Sequence, residues 1–313
     1  GFAQFDSTNK RIFEYENIKS NAHEKSAKNI NAYLVEGDDI VIEKRRKPLC
    51  NVLNIIKGNY YAKSEGLIIE EKDLDYLVKN EPNAKKWIKL LIGADEFINN
   101  RKRYCLWLVD CPPDELRKMP LVMERVNRVR EDRLKSTDKG MQNLAPIRFR
   151  ETNNPDKCIV IPVVSSEKRP YIPIGFIDKN TISTNGNLII PNGDLFLFGQ
   201  LTSLMHMSWV KYTCGRLKSR FRYSKDIVYN NYPFPKNVSE KQKKAVEEKA
   251  QNVLNIRSQF SDCSLADLYD PLSMPPNLKK AHQELDKAVD NCYGSKSFKN
   301  DKERIEFLFG LYE

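Results

Sequence analysis

Features that define well-known protein classes are scarce in this sequence of 313 residues. The cysteines are odd in number and form no CxxC pair and no cluster with histidine. This spacing argues against a disulfide framework and against structural zinc, so we expect reduced thiols that pack as small hydrophobic residues. No apolar run approaches the roughly 18 residues that a membrane span requires. The cysteines are Cys50, Cys105, Cys111, Cys158, Cys214, Cys263 and Cys292.

Catalytic motifs are equally scarce. His23, His206 and His282 lie far apart, and His206 sits in the apolar segment LTSLMHMSW, where a packing role is expected. The sequence contains no nucleophile elbow, no glycine-rich phosphate loop and no GxGxxG fingerprint. The tetrapeptides CPPD (111–114) and MPPN (274–277) resemble the Pro-Pro motif of enzymes that methylate amino groups in DNA. Both lack its terminal aromatic residue, which stacks on the flipped base, so we interpret them as proline-rich turns.

Positive charge is abundant and partly local. The net charge is +10, and residues 211–225 contain no acidic residue. In an extended chain, Lys218, Arg220 and Arg222 would share one face, with the intervening aromatic residues on the other. A row of cations suits contact with phosphates or base edges, and a solvated basic face beside a turn would have the same pattern. The cations of this stretch are Lys211, Arg216, Lys218, Arg220, Arg222 and Lys225.

A second basic stretch spans residues 123–136, MERVNRVREDRLKS. Its valines and methionine recur at helical spacing, which predicts a helix with one apolar stripe and one basic face formed by Arg125, Arg128 and Arg130. A surface helix with ion pairs to the neighbouring acidic residues explains the pattern equally well.

The succession of elements predicts an α+β fold with three regions. Residues 1–35 are predicted as a hairpin with its turn at residues 6–9, followed by a polar linker, NAHEKSAKNINAYL. Residues 36–236 mix short strands, helices and proline-rich turns. Residues 237–313 are predicted as a small helical domain whose first helix is capped by Ser239.

Individual elements of the middle region follow from apolar periodicity and from proline and glycine positions. The predicted strands are DDIVIEK (38–44), RYCLWLVD (103–110), KCIVIPVVS (157–165), RPYIPIGFI (169–177) and NLIIPNGDLFLF (187–198). The predicted helices are EKDLDYLVKNEP (71–82), PDELRKMPLVMERVNRVREDRLKS (113–136) and FGQLTSLMHMSWVKYTCGRL (198–217).

Longer blocks of sequence point to one family. They are NINAYL with KPLCNVLNIIKGN, IKLLIGADEFINNRKRYCLWL, VSSEKRPYIPIGF, LTSLMHMSWVKYTCGRLKSRFRYSKDIVYNNYPFP and SLADLYDPLSMPPNLKKAHQELDKAVDNCYG. In these blocks the chain resembles the C-terminal part of MmeI-like restriction–modification enzymes. These are single-chain bacterial proteins that combine a nuclease, a DNA adenine methyltransferase and target recognition.

The resemblance implies a role for each region. Residues 36–236 would be the target recognition domain, which reads a short asymmetric DNA sequence. Residues 237–313 would be a helical C-terminal domain that helps to clasp the duplex. Residues 1–35 would be the tail of the methyltransferase domain and a linker.

The resemblance also implies which residues contact DNA. Variable side chains in the GRLxSxxRYS block read base edges, which assigns Lys218 and Arg220, with Arg222 next in the alternation. A reading position around the ISTNG segment implies Asn185 and Gly186. Arginine and lysine favour guanine, whereas asparagine suits adenine. Phosphate contacts are expected from Arg216, Lys211, Lys225, Arg101 and Arg103.

The nuclease, cofactor-binding and catalytic motifs of the family lie upstream of the matching blocks. We therefore expect no catalysis and no cofactor in this part, with S-adenosylmethionine in the parent enzyme and Mg²⁺ only where a nuclease domain is present. The expected partners are double-stranded DNA and the methyltransferase domain of the same polypeptide. No membrane partner is expected, and the setting would be the bacterial cytoplasm.

Two other functional classes fit the residues without the resemblance. A nonspecific nucleic-acid-binding module would use the basic strand to follow phosphates only, and competition between duplexes of different sequence would identify it. A protein-interaction scaffold would direct the same basic face to an acidic partner. It would not be retained on DNA at about 150 mM salt.

Overall fold

In the computed structural model, residues 10–15, 19–294 and 297–312 are described. They form the mixed fold of strands and helices that the sequence predicts. The strands are β1 Lys10–Glu14, β2 His23–Ala27, β3 Ile56–Lys57, β4 Ile68–Glu70, β5 Ile88–Ile92, β6 Arg103–Leu106, β7 Lys157–Pro162, β8 Val164–Ser165, β9 Gly175–Asp178, β10 Thr181–Ser183, β11 Asn187–Pro191, β12 Gly215–Leu217 and β13 Arg220–Arg222.

The helices lie mainly in the second half of the chain. They are α1 Glu71–Asn80, α2 Ala94–Asn99, α3 Pro113–Leu116, α4 Pro120–Leu134, α5 Lys139–Gln142, α6 Leu195–Leu201, α7 Leu204–Thr213, α8 Glu240–Ser258, α9 Leu265–Leu268, α10 Pro276–Cys292 and α11 Asp301–Tyr312. Short 3-10 helices occupy Glu65–Leu67 and Pro82–Trp87, and a π-helical turn occupies Lys225–Tyr229.

The strands form four small sheets. Three have the orders β10-β5-β6-β4, β3-β11-β7-β9 and β12-β13-β8, and β1 pairs with β2 alone. The pairing is antiparallel except between β10 and β5, which run parallel. Strand β7 is buried at five consecutive positions. It lies at the middle of its sheet. Its residues Cys158 and Val160 form a small hydrophobic cluster with Ile92 of β5 in the neighbouring sheet.

Two hydrophobic cores organise the described residues. The small core joins residues between Leu67 and Phe149 with Ile182 of β10. The large core joins residues between Val35 and Phe234 with the helices that follow residue 237, through to Phe309. The large core therefore crosses the predicted boundary at residue 236, because the C-terminal helices bury their apolar faces against α6, α7 and the neighbouring strands.

Helix α8 follows the sequence prediction closely. Ser239 caps it, and the Gln242 side chain reciprocates by accepting from the Ser239 amide, which satisfies two donors at the helix start. Its buried stripe packs on α10 and α6. At the crossing with α6, a Cβ on Gly199 would lie 2.6 Å from Cγ1 of Val246, so only glycine allows this approach.

Several predicted strands are wrong or shorter than expected. Residues 38–44 form no strand, and their backbone instead follows an irregular path with Ile40 and Ile42 buried. In the predicted strand RPYIPIGFI, strand pairing begins only at Gly175. The earlier residues Pro170 and Pro173 lack the backbone amides that a β-ladder requires. The LFLF stretch begins α6 instead of continuing β11, since Asp194 caps the helix by accepting from the Leu197 amide.

Two predicted helices are each divided in two. The first breaks before Pro120, which begins α4, where the buried carboxylate of Glu81 accepts from the amides of Leu121 and Val122. The second breaks at residues 202–203, where the Ser203 hydroxyl caps α7. Both breaks use a local cap or proline within an apolar pattern that continues across the break.

The basic face predicted on α4 is only partly present. Arg133 is 1% exposed and donates to the carbonyls of residues 63, 144, 145 and 148 and to the Ser64 hydroxyl. Arg125 donates to the Gly66 and Ile68 carbonyls, and Arg128 lies 3.6 Å from Glu124. Arg125 and Arg133 therefore hold neighbouring loops, and Arg128 is the one arginine of α4 with an ion pair among the described residues, so the second interpretation holds only in part.

The described part of the N-terminal region contains a hairpin that the sequence did not predict. Strand β1 pairs with β2 from Lys10 opposite Ala27 to Glu14 opposite His23, so HEKSA is a strand and not a linker. The connection therefore lies after residue 14. The predicted turn at residues 6–9 lies outside the described residues.

Candidate nucleic-acid interface

The cationic stretch after α7 forms a β-hairpin. Strands β12 and β13 pair from Gly215 opposite Arg222 to Leu217 opposite Arg220, which leaves Lys218 and Ser219 as a two-residue turn. Phe221 is 2% exposed, whereas Arg220 and Arg222 on either side of it are exposed. The predicted alternation of cations and aromatics therefore holds on β13.

The hairpin is anchored through Tyr223. This residue is 3% exposed, and its hydroxyl lies 2.8 Å from Nε2 of His206 on α7. Burial lowers the pKa of His206 to about 3, so the imidazole is neutral at physiological pH. The structure thus gives His206 the packing role expected from its apolar segment.

Lys218 differs from the extended geometry that the alternation predicts. Its φ angle is 56°, the left-handed region that glycine adopts most easily. For a residue with a Cβ this conformation costs roughly 1–2 kcal/mol. The lysine side chain is therefore present at the tip of the hairpin despite an unfavourable backbone.

Three cations of the hairpin are available to a partner. Within the described part of the chain, no side chain forms a hydrogen bond or ion pair with the side chains of Lys218, Arg220 or Arg222. Arg216 is held differently, because its guanidinium lies 4.1 Å from the centroid of the Phe221 ring and donates to the Ser219 and Lys211 carbonyls.

A backbone ladder connects the hairpin to the second predicted reading position. Strand β13 pairs with β8, and the amide of Tyr223 donates to the carbonyl of Val163 (2.8 Å). The amide of Val163 in turn donates to the carbonyl of Gly186 (3.0 Å). Since neighbouring strands lie about 4.8 Å apart, the exposed Asn185 turn stands roughly 10 Å from β13.

Gly186 contributes a close backbone approach. A Cβ there would lie 3.1 Å from the Ala94 amide nitrogen and 3.4 Å from the Gly93 Cα, at the start of α2. The turn is therefore packed directly on α2. Helix α2 also carries Asp95 and Glu96, the partners of the next two predicted contacts.

Arg101 and Arg103 follow α2 and are ion-paired to it. Arg101 lies 2.8 Å from Asp95, and both side chains are largely exposed. Arg103 lies 2.9 Å from Glu96, is mostly buried, and stands over the Tyr61 ring at 5.6 Å. The structure thus links these arginines to the Asn185 turn through α2.

The two cations that flank the hairpin also have acidic partners. Lys211 on α7 is paired with Asp301 of α11, and Lys225 lies 2.6 Å from Asp226 in the π-helical turn. Both cations are therefore already paired within the described part of the protein, unlike Lys218, Arg220 and Arg222.

The loop after β8 adds Glu167, a residue that the sequence did not assign. A hydrogen bond with its own backbone amide, and one with the Ser219 hydroxyl at the hairpin tip, lower the pKa of the Glu167 carboxyl. Arg169 donates to the Ser165 hydroxyl (3.4 Å). Burial lowers the pKa of its guanidinium, and the positive charge of nearby Arg220 lowers it further. The polar run SSEKR (165–169) indicates a loop in the sequence. That this loop lies beside the hairpin follows only from the fold.

Comparison with known proteins identifies the family. The family described as "MmeI, target recognition domain" matches residues 36–236, and "MmeI, C-terminal domain" matches residues 238–313. The chain belongs to the MmeI family. DNA methyltransferase A of Bacillus subtilis (strain 168) is 38% identical over 317 residues, which is 100% of this chain and 35% of that protein.

A solved structure of the family has the same fold. The type IIL restriction–modification enzyme MmeI, in complex with DNA, is 43% identical and superimposes with a TM-score of 0.89. The match covers 98% of this chain and 41% of the MmeI chain. The chain thus spans less than half of the length of these relatives.

The two Pro-Pro tetrapeptides lack the terminal aromatic residue of the methylation motif. In the CPPD tetrapeptide, Asp114 is the second residue of α3 and lies 2.5 Å from Arg117, so the position offers an ion-paired carboxylate where an aromatic ring would stack on a base. Asn277 of the MPPN tetrapeptide lies in the first turn of α10. Both tetrapeptides start helices. Within the described residues, no helix is both long enough and apolar enough to cross a membrane.

Proposed function

We propose that this chain is the sequence-reading part of a DNA adenine methyltransferase of the restriction–modification type. It would bind double-stranded DNA through the β12–β13 hairpin and the Asn185 turn. The observation that carries the proposal is the hydrogen-bonded ladder from Tyr223 through Val163 to Gly186. The ladder connects the β12–β13 hairpin to the turn that carries the exposed Asn185.

The geometry supports a division of roles within this surface. Lys218, Arg220 and Arg222 present unpaired cations, and arginine or lysine in the major groove favours the two acceptors of guanine. The Asn185 amide suits adenine. The separation of roughly 10 Å between the two segments corresponds to about three base pairs at 3.4 Å per step, so each segment would read its own part of one short site.

Other cations would fix the register of the duplex. We assign phosphate contacts to Arg216, Lys211, Lys225, Arg101 and Arg103. Arg216 is already oriented by Phe221, while the other four are ion-paired and would contribute less. Gly186 would act by allowing the turn to approach α2 closely, and this approach would fix the position of Asn185 relative to α2.

Methyl transfer would belong to a domain upstream in the same polypeptide. That domain would bind S-adenosylmethionine, which supplies the methyl group, and Mg²⁺ would be required only by an accompanying nuclease. The regions 1–35, 36–236 and 237–313 would serve as its tail and linker, the reading domain and the clasp. Because the large core runs through the last two regions, we expect these to move as one body on DNA.

Arg220→Ala tests the proposal. Random duplexes are selected on the 313-residue chain and sequenced, and the dissociation constants of the selected site and its single-base variants are then measured. We expect Arg220→Ala to relax the preference at one base pair by about 5- to 150-fold, equal to about 1–3 kcal/mol, and to leave the salt dependence unchanged.

Two further variants make the test selective. Lys225→Ala should weaken all sequences alike, as a phosphate contact does. Arg130→Ala removes an exposed arginine of α4 at the surface of the small core. It should change neither the preference at any base pair nor the affinity for DNA in general. Identical behaviour of Arg220→Ala and Lys225→Ala would show that the division into base and phosphate contacts is wrong.

A further inference from the structure

Four consecutive cations, Lys44, Arg45, Arg46 and Lys47, lie in an exposed loop that no assigned role explains. We call it the KRRK loop. The loop has no regular secondary structure, and each of the four residues is exposed. Adjacent like charges repel, and a run of this kind ordinarily remains solvated and mobile.

The backbone of the KRRK loop is nevertheless held firmly. The Arg45 amide donates to the Asp226 carbonyl (2.9 Å), and the Leu49 amide donates to the Asn230 carbonyl (2.7 Å). Two buried side-chain amides complete the attachment: Asn230 donates to the Arg45 carbonyl (2.7 Å) and Asn231 to the Glu43 carbonyl (2.9 Å). The chain thus uses two buried asparagines to fix a run of like charges.

The charges themselves have no acidic partner in the described part of the chain. No ion pair joins Lys44, Arg46 or Lys47 to a carboxylate, and the nearby Asp226 is paired with Lys225. Arg45 stands over the Tyr312 ring at 5.8 Å, which positions one cation without neutralising it. A fixed and uncompensated row of cations suits a ligand with a row of negative charges.

The loop also lies near the proposed reading surface. Asp226, which holds Arg45, follows Arg222 of β13 by four residues, and four residues span at most about 14 Å. The KRRK loop therefore lies within about 20 Å of the hairpin. Phosphates on one DNA strand repeat every 3.4 Å along the axis. A distance of up to about 20 Å therefore spans at most about six phosphates from the bases that Arg222 would contact.

We infer that the KRRK loop is a second DNA contact, which binds the phosphate backbone of the duplex that the hairpin reads. This inference rests on the proposed function. Its side chains would fix the position of the duplex on the protein and carry no sequence information. The attachment of the loop by Asn230 and Asn231 would keep the cations in place before DNA arrives.

The test compares two variants that lose the same charge. One replaces Lys44, Arg46 and Lys47 with glutamine and leaves Arg45 on Tyr312. The control replaces Lys79, Lys85 and Lys118, exposed lysines around the small core, in the same way. Binding of a labelled duplex carrying the selected site is followed by fluorescence anisotropy between 50 and 200 mM salt, and thermal melting verifies that each variant is folded.

We expect the KRRK-loop variant to make the negative slope of log affinity against log salt shallower by about 2 to 3 units and to weaken matched and mismatched duplexes equally. The single substitution Arg46→Gln should make the slope shallower by about one unit, and the control should leave it unchanged. An unchanged slope in the KRRK-loop variant, with sequence preference intact, would overturn this inference alone. A change of preference at one base pair would also overturn it. Absence of sequence preference in the wild type would overturn the proposed function and this inference together.

Discussion

Lys218 offers a substitution whose effects on stability and on DNA reading should have opposite signs. The residue holds a φ of 56° at the tip of the hairpin. Glycine there would relieve roughly 1–2 kcal/mol of backbone strain. It would also add about 0.5–1 kcal/mol of conformational entropy to the unfolded chain. We therefore expect Lys218→Gly to stabilise the fold by about 0.5–1 kcal/mol.

The same substitution removes a side chain that we propose reads a base. Loss of a good base contact costs about 1–3 kcal/mol of discrimination, so the preference at one base pair should fall by about 5- to 150-fold. A substitution that stabilises the protein yet weakens selective binding cannot act through unfolding. This separation gives Lys218→Gly more diagnostic value than an alanine substitution at a position with ordinary backbone geometry.

The assay combines two measurements on the same protein samples. Urea denaturation gives the free energy of unfolding, and anisotropy titrations give affinities for the selected duplex and its single-base variants. Lys218→Arg serves as the control, because it keeps both a cation and the backbone strain. If Lys218→Gly is more stable but retains the full preference, Lys218 is not a base reader. If it is less stable, the strain argument fails.

The remaining predictions concern the interior. Arg133→Met should destabilise the fold by about 4 kcal/mol or more, since several buried acceptors lose a charged donor; a loss below about 1 kcal/mol in urea denaturation would contradict this. Burial lowers the pKa of His282 to about 3 from 6.5, so stability present above pH 6.5 is lost as pH falls. The stability advantage of wild type over His282→Gln should shrink by about 2 kcal/mol between pH 7 and 5, and a constant difference would refute the assignment. Gly199→Val should destabilise by about 1–3 kcal/mol by separating α6 from α8, whereas an unchanged melting temperature would show that the crossing tolerates a side chain.

Much of the fold follows from local sequence patterns. The Ser239 cap with Gln242 and the apolar stripes of α8 and α10 are complete within their own segments, so their helices were predicted correctly. The alternation of Arg220 to Tyr223 likewise indicates a strand with cations outside and aromatics inside, and the structure has this arrangement. Each of these signals depends on neighbours within one or two turns or on adjacent positions of a strand.

The errors arose where distant residues decide the outcome. The strand predicted at residues 38–44 fails because its apolar side chains are buried by the large core while its backbone bonds to residues near Asn230. The long helix predicted at residues 198–217 breaks at Ser203, a site where the carboxylate of Asp286 on α10 also accepts from the Leu204 amide (2.7 Å). A hydrogen-bond partner more than 80 residues away cannot be found from periodicity.

The sequence by itself determined the family, the mixture of strands and helices, and the residue types that could face DNA. The long blocks that resemble the family carry this information in the sequence alone, without any knowledge of the three-dimensional structure. The tertiary structure decided which of those cations are unpaired, because ion pairs such as Lys211 with Asp301 join positions far apart in the chain. It also decided that the hairpin and the Asn185 turn are connected through β8. Their connection is a set of backbone hydrogen bonds across strands, whose registry is set by packing of the whole domain and leaves no mark in the local sequence.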